Sequence, residues 1–337
     1  MKNNLEGLSP VVTIGITAYN RPDLLREAVL SIINQTYSNF ELLIGNDYIK
    51  TPVTFNMLGI DPDPRVKILN YSDNMGEISN MNHLLHLAQA EWFVWMADDD
   101  VFHQSFLEAT LGTIENKDEV VAVYSRYVAG NALKNNFFND IDAYKSVNFS
   151  ASTFISKYTS KEVELIGCYG LMKTEKLKAI GGMPSLGSSF GPYSDTLVPI
   201  LLSQFGSINY LKISLCFLRT HDKSLSASSS EIEAYKSAET DFLTELTNVG
   251  CSINNINIDQ CIFDMVCWFR DNEFSVISRN NSISRAGVVI NFIVYQFKNN
   301  YSRISCRYWF RFTLSNIKLL TEVVFNSIYK KISSNKI

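Results

Sequence analysis

The chain has 337 residues, 46% of them hydrophobic and 19% charged. That is enough apolar side chain for one large domain with an appendage, or two modest domains, and it excludes a disordered tail. The formal net charge of −4 at pH 7 excludes, for the chain taken whole, binding driven by nucleic-acid phosphates. Gly 16 and Pro 8 exclude collagen-like and low-complexity chains, and four histidines leave little for a His-rich metal site. Six cysteines (Cys168, Cys216, Cys251, Cys261, Cys267 and Cys306) carry no CxxC spacing, so neither a zinc ribbon nor a disulfide framework is expected. They read as core filler in a reducing cytosol. The opening MKNNLEGLSP has no apolar run, so no signal peptide is expected there. No stretch reaches the ~18 uninterrupted apolar residues of a spanning helix.

The first hundred residues alternate two periods. Val11 to Ile16 is a short β-branched run and predicts a buried strand. Asn20-Arg21-Pro22-Asp23 follows, with proline suited to the first turn of a helix, and Leu24, Leu25, Ala28, Val29, Ile32 and Ile33 recur at helical spacing. Phe40–Ile44, Val66–Leu69 and Trp92–Met96 predict three more strands, with a helix over Ser79 to Ala90. This rhythm implies a mostly parallel sheet with helices on its faces. Such sheets bind ligands at the carboxyl ends of their strands. Polar residues stand in those places: Thr17 to Arg21, Asn46-Asp47, Asp73-Asn74, and Asp98-Asp99-Asp100. Further on, Val120–Tyr127, Cys168–Met172, Ile208–Ile213 and Leu215–Leu218 predict strands, Ser194-Asp195 opens a helix running to Phe205, and everything after Glu231 reads as mainly helical. Trp92 and Trp95 read as sheet core. His83, His86 and His103 read as helix-surface or core residues.

Three adjacent acids are costly unless a cation or hydrogen-bond donors balance them. Oxygen ligands on a tight turn suit Mg²⁺ or Mn²⁺, which take phosphate oxygens as further ligands. Asp100 has a plainer reading as a cap for the helix at Phe106-Leu107.

These marks together resemble the family 2 glycosyltransferases, inverting enzymes of the GT-A fold. The resemblance runs from Val11 to about Ser226. It is carried by Ile14-Gly15-Ile16-Thr17-Ala18-Tyr19-Asn20-Arg21-Pro22, by Ser31-Ile32-Ile33-Asn34-Gln35-Thr36-Tyr37, by Glu41-Leu42-Leu43-Ile44-Gly45-Asn46-Asp47, by Asn74-Met75-Gly76 and by the acid run. It implies an α/β GT-A sheet with a helical C-terminal extension, and roles for matching residues. Asp47 would bond the nucleotide base. Thr17, Tyr19 and Arg21 would wrap base and ribose, and Asn74 and Gly76 would approach the donor. Asp98 would contact ribose and Asp99 would hold the metal on the diphosphate. Asp195 would be the base that deprotonates an acceptor hydroxyl. His221 would ligate metal or phosphate, and Arg219 or Lys223 would hold the diphosphate. The chain departs from the family at Asn46, where an acid is common, at Met81, where an arginine is common, and at Ala97 in the metal motif.

The implied division is a nucleotide-sugar half over 1–115, an acceptor half over 116–228 and an extension over 229–337. Residues 281–337 carry nine basic side chains and one acid, +8 against −12 for the rest. Arg303, Arg307, Arg311 and Lys318 share one helical face, with Trp309, Phe312, Leu319, Leu320 and Val323 roughly opposite. That pattern suits an anionic membrane surface, or else packing on the catalytic domain or a second subunit. The expectation is a metal-dependent hexosyltransferase moving a sugar from a nucleotide-sugar donor, UDP-linked, to a glycan or lipid-linked glycan in surface-polysaccharide assembly. It would act at the cytoplasmic face of the membrane, with no nucleic-acid partner and with room for a homo-oligomer. Two rival readings stand beside it: a non-catalytic sugar-nucleotide-binding or scaffold protein, and a nucleotidyltransferase on a similar sheet.

Overall fold

The computed structural model describes residues 9–114, 119–133, 145–187, 191–220 and 232–279. Its centre is one nine-stranded sheet. Four strands, β1 (Val12–Ala18), β2 (Phe40–Asn46), β3 (Val66–Asn70) and β4 (Trp92–Ala97), run parallel in the order β3-β2-β1-β4. Helices α1 (Pro22–Ile33), α2 (Phe55–Leu58) and α3 (Glu77–Leu87) connect them. β2 is buried along its whole length, as a parallel strand covered on both faces must be.

The sheet continues through β5 (Val101–Phe102), β6 (Val120–Gly130), β7 (Ser146–Phe149), β8 (Leu171–Lys173) and β9 (Ser207–Arg219). β8 runs antiparallel between β4 and β6, β9 lies parallel to β6, and β5 and β7 pair antiparallel with β9. Around this part sit α4 (Phe106–Gly112), α5 (Ala151–Thr159), α6 (Thr174–Ala179), α7 (Ser194–Ser203), α8 (Ile232–Ser252) and α9 (Ile258–Arg279).

Period-two alternation sends side chains to opposite faces and makes two cores. Ile14, Ile16, Leu42, Ile44 and Val94 pack under α1 and α4 with Leu25, Val29, Ile32 and Phe106. Leu43, Phe93 and Trp95 face the other way, onto α3, α5, α7, α8 and α9, with Leu84, Phe154, Leu197, Phe242 and Phe269. Trp92 and Trp95 are core, as their alternation with apolar neighbours predicts.

The second half departs from the sequence expectation in several places. Ile208–Ile213 and Leu215–Leu218 are one strand, β9, because pairing with β6 absorbs the interruption in two irregularities of register. Cys168 and Tyr169 belong to a 3-10 turn (Gly167–Tyr169), so the strand shrinks to β8. β5, β7, α5 and α6 carry too short or too mixed a period to read from sequence. Asp100 does not cap α4. Ser105 holds that position, and the Asp100 carboxylate turns inward to Tyr169. No helix among the described residues is long and apolar enough to cross a membrane.

Candidate active site

The polar groups of the parallel strands meet at one rim. Asp47 follows β2, and its backbone N–H donates to the Ala18 carbonyl at 3.0 Å. Its carboxylate accepts from the N–H groups of Met75 at 2.6 Å and Gly76 at 2.8 Å. Two donors converging on two oxygens require a carboxylate, since an amide would meet one of them with an NH₂ group. Asp47 thus shapes the loop that carries Asn74, whose side-chain oxygen also accepts from Gly76 N–H at 2.9 Å. Gly76 sits at φ 79°, a conformation glycine adopts at little cost.

Asn46, the departure from an acid, is buried and knits the segment that follows. Its NH₂ group donates to the Thr51 carbonyl at 3.0 Å and to Asn70 Oδ1 at 2.8 Å, and its Oδ1 accepts from Tyr48 N–H at 3.2 Å. An aspartate would have no proton for those acceptors. Tyr48, which sequence reasoning passed over, meets Tyr19 edge-on at 5.3 Å between ring centroids. Tyr19 is 50% exposed, so the pair offers an aromatic face beside Asp47. Thr17, one residue before the end of β1, lies between Gly45 and Ala97.

The acid turn after β4 is buried and divides its labour. Asp98 accepts from Tyr19 N–H at 2.9 Å and pairs with Arg21 Nη2 at 2.5 Å. Asp99 pairs with Arg21 Nη1 at 2.5 Å. Asp100 takes the Tyr169 hydroxyl and the Arg219 N–H, the latter at 2.7 Å. Burial pushes the Asp98 carboxyl up to about 6 although Arg21 opposes it. Burial, with Asp99 beside it, pushes Asp100 up to about 7. Arg21 therefore supplies the cation that three adjacent acids need, from the strand end that also bears Tyr19. Arg219 does not point its guanidinium freely into the cleft. Nε donates to the Asp99 carbonyl at 2.8 Å and Nη2 pairs with Glu27 at 2.5 Å, tying the acid turn to α1.

The motif Ser31-x-x-x-Gln35-Thr36 buttresses this turn from beneath. Gln35 donates to the Ser31 and His103 carbonyls at 3.0 and 2.7 Å and accepts from Leu107 N–H at 3.0 Å. Thr36 binds Gln104 and Glu108.

On the other wall, Asp195 lies in the first turn of α7. The 3-10 turn packs so closely that a side chain at Gly167 would fall 1.6 Å from the Asp195 carbonyl oxygen. Burial raises the Asp195 carboxyl above its ordinary range, opposed by hydrogen bonds from Thr196 and by the charge of Lys161. Asn82, in α3, holds the preceding loop through a reciprocal pair with Met183, donating to its carbonyl at 2.9 Å and accepting its N–H at 2.7 Å. Met81 is core, and its carbonyl takes the Trp95 indole at 2.9 Å.

Glu77, unmarked in the sequence reading, links the two walls. Burial raises it to about 7, Arg21 opposes, and Asp98, Asp99 and Asp195 add to the rise. The residue as a whole is exposed, at the first turn of α3. The strand ends therefore bring together Tyr19, Arg21, Asp47, Asn74, Gly76, Asp98 and Asp99, and the charges of Asp98, Asp99 and Asp195 all act on Glu77. His221 and Lys223 lie outside the described residues, as does the basic segment 281–337.

Among the described residues no group of three His, Cys, Asp or Glu side chains is placed to hold a metal ion. The acid turn offers hard carboxylate oxygens, with Arg21 now in the place of a cation. A Mg²⁺ or Mn²⁺ ion bound by one or two carboxylates and a diphosphate is compatible with that donor set once Arg21 moves off Asp99.

Comparison with known proteins agrees with this architecture. The chain is 33% identical over 118 residues to a protein named an uncharacterized glycosyltransferase of Haemophilus influenzae, covering 34% of this chain and 36% of that protein. It spans barely a third of that relative's length. A similarly named protein of Rickettsia typhi is 23% identical over 278 residues, 81% of this chain and 84% of that one. Among solved structures, S. aureus TarS 1–349 in complex with UDP-GlcNAc superposes with a TM-score of 0.58 at 16% identity, covering 84% of this chain and 81% of that one, a likeness of fold. The family model for glycosyl transferase family 2 matches residues 13–181, half of the chain, and reaches from β1 through the acid turn to the glycine pair before α7. The protein belongs to glycosyl transferase family 2 and has its GT-A-type sheet.

Proposed function

We propose that the chain transfers a sugar, with inversion, from a nucleotide-sugar donor to an acceptor hydroxyl. The observation that carries this reading is the rim of strand ends at which Asp47 holds the Met75-Gly76 loop and Asp98 and Asp99 are held by Tyr19 and Arg21. A donor whose nucleoside lies along the rim would place its diphosphate over the acid turn and its sugar toward Asp195.

In this reading Tyr19 and Tyr48 present an aromatic face to the base, and Asp47 holds the Asn74-Met75-Gly76 loop against the donor. Asp98 keeps the Tyr19 backbone in register and contacts ribose. Asp99 is the protein ligand for Mn²⁺ or Mg²⁺, which would stabilise the charge of the departing diphosphate. Arg21, displaced from Asp99, stays within reach of the phosphates. Arg219 braces the turn, with His221 and Lys223 proposed to face the same diphosphate. Asp195 takes the acceptor proton. Burial raises its affinity for that proton, and hydrogen bonds from Thr196 and then the charge of Lys161 oppose the rise.

The donor is proposed to be UDP-linked because the structural neighbour was solved with UDP-GlcNAc. The acceptor is proposed to be a glycan, lipid-linked, of a bacterial surface polysaccharide, met at the inner face of the membrane. The +8 charge of residues 281–337 supports that placement.

The test is a nucleotide-sugar panel read by thermal shift, with and without Mn²⁺, followed by assay of nucleoside diphosphate release. A bound donor should raise the melting temperature. Release should need the metal, and Asp195→Asn should bind donor without turning it over. Pyrophosphate release from a nucleoside triphosphate would instead identify a nucleotidyltransferase. Donor binding with no turnover across acceptors would identify a scaffold.

A further inference from the structure

Two bulky residues beside Asp195 share an unusual backbone conformation. Lys161, two residues beyond α5, has φ 64°, and Tyr193, the residue before α7, also has φ 64°. Side chains with a Cβ visit this region rarely, and they persist there only when the surroundings hold them.

Both meet one side chain on α9. The Trp268 ring lies 5.1 Å from the Tyr193 ring and 3.7 Å from Lys161 Nζ, a cation over an aromatic face. Phe269 and Tyr235 close on the same tyrosine at 4.6 and 5.5 Å. All three rings come from α8 and α9, beyond the residues that the family model matches.

The charged and titratable groups that face Asp195 are Lys161 and Tyr158 from α5 and the turn after it, Tyr124 and Tyr127 from β6, Cys168 from the 3-10 turn and Glu77 from α3. Lys161 is the cation in that set. Burial of its ammonium lowers it to about 8, the charges of Asp195 and Glu164 oppose that, and the residue as a whole is exposed.

Resting on the transfer reading above, we propose that Trp268 is a positioning residue: it clamps Lys161 and Tyr193 on either side of Asp195 and so holds that carboxylate where an acceptor hydroxyl meets it. The extension is then part of the catalytic half and not an appendage to it.

The experiment uses the full chain with UDP-GlcNAc as the probe. Trp268→Ala, Trp268→Phe and Lys161→Met are compared by hydrogen exchange, by donor binding and by UDP release across pH. Trp268→Ala should speed exchange in 158–168 and 191–199 and leave 40–47 unchanged. It should lower kcat about 100-fold, the scale of an ångström-sized misplacement, with donor affinity kept. Trp268→Phe should recover most of the rate. Lys161→Met, which removes a partly exposed side chain, should move the acidic limb of the rate profile to higher pH, because the charge opposing burial is gone. Unchanged exchange around Asp195 in Trp268→Ala, or faster exchange everywhere alike, would overturn the clamp. So would a loss confined to donor affinity, or an unmoved acidic limb in Lys161→Met. The exchange measurement needs no turnover. A protein that binds no nucleotide sugar would sink the transfer reading while the clamp is still decided.

Discussion

The two halves of the sheet build their sites by different means. In β1 to β4 each strand delivers its own polar residues to the rim, and their partners lie on neighbouring strand ends: Asp47 on Met75 and Gly76, Asp98 on Tyr19 and Arg21. Around Asp195 the neighbours arrive from α3, from α5 and the turn after it, from β6 and from the 3-10 turn. The rim of β1 to β4 is assembled from strand ends that parallel pairing aligns, whereas the surroundings of Asp195 are assembled by packing. The first tolerates exchange of framework residues provided that hydrogen-bond donors and acceptors still match. The second is sensitive to shape at places far from Asp195 in sequence.

The sharpest way to break this comparison is at Asp195 itself. Asp195→Asn should lower turnover by about 10²–10⁴, the scale of a lost general base, while calorimetry shows donor affinity unchanged. The acidic limb of the wild-type profile should lie above the range of an ordinary carboxylate. Burial raises this pKa, and the base works only when ionised, so the rate falls as pH drops through it. A limb at the ordinary carboxylate position would remove Asp195 from that role.

Next in size is Gly167→Ala, a shape change with no change of charge. Its new methyl meets Asp195 backbone at 1.6 Å, so α7 must shift. Turnover should fall far more than donor binding, and a folded variant with wild-type kcat would show that this packing does not set the base.

On the donor side, Arg21→Met should both weaken nucleotide binding and cost about 1–3 kcal/mol in a urea melt, since Asp98 loses its charged partner. The loss is limited because Arg21 is partly exposed. The smallest effect is expected from Asn46→Asp, which installs the acid common in the family. It should destabilise by about 1–2 kcal/mol, because acceptors at Thr51 and Asn70 lose their donor. A neutral result would mean that the segment through Tyr48 is held by other bonds.

The difference between halves also explains what could be read from residues alone. The four parallel strands, the helices between them and the polar strand ends were legible, because period and strand-end chemistry are local. The position of Asp195 at the opening of a helix was legible from the Ser194-Asp195 pair. Lys161, Tyr193 and Trp268 carried no signal, since their meeting depends on a span of about a hundred residues folding back. Glu77 went unmarked, because the charges that act on it come from other elements. Arg219 read as a phosphate ligand, and only its bonds to Asp99 and Glu27 show it bracing the turn. Arg21 read as a donor contact, yet in the folded chain it also neutralises the acid run.

Sequence by itself therefore determined the family, the parallel sheet, the rim and the need for a cation at three adjacent acids, since each follows from local pattern or local charge. Tertiary structure decided which cation sits there, which hydrogen bonds Asn46 and Asp47 make, and which residues surround Asp195. Those depend on distances between elements remote in the chain, and such distances are set by how two cores pack on opposite faces of one sheet.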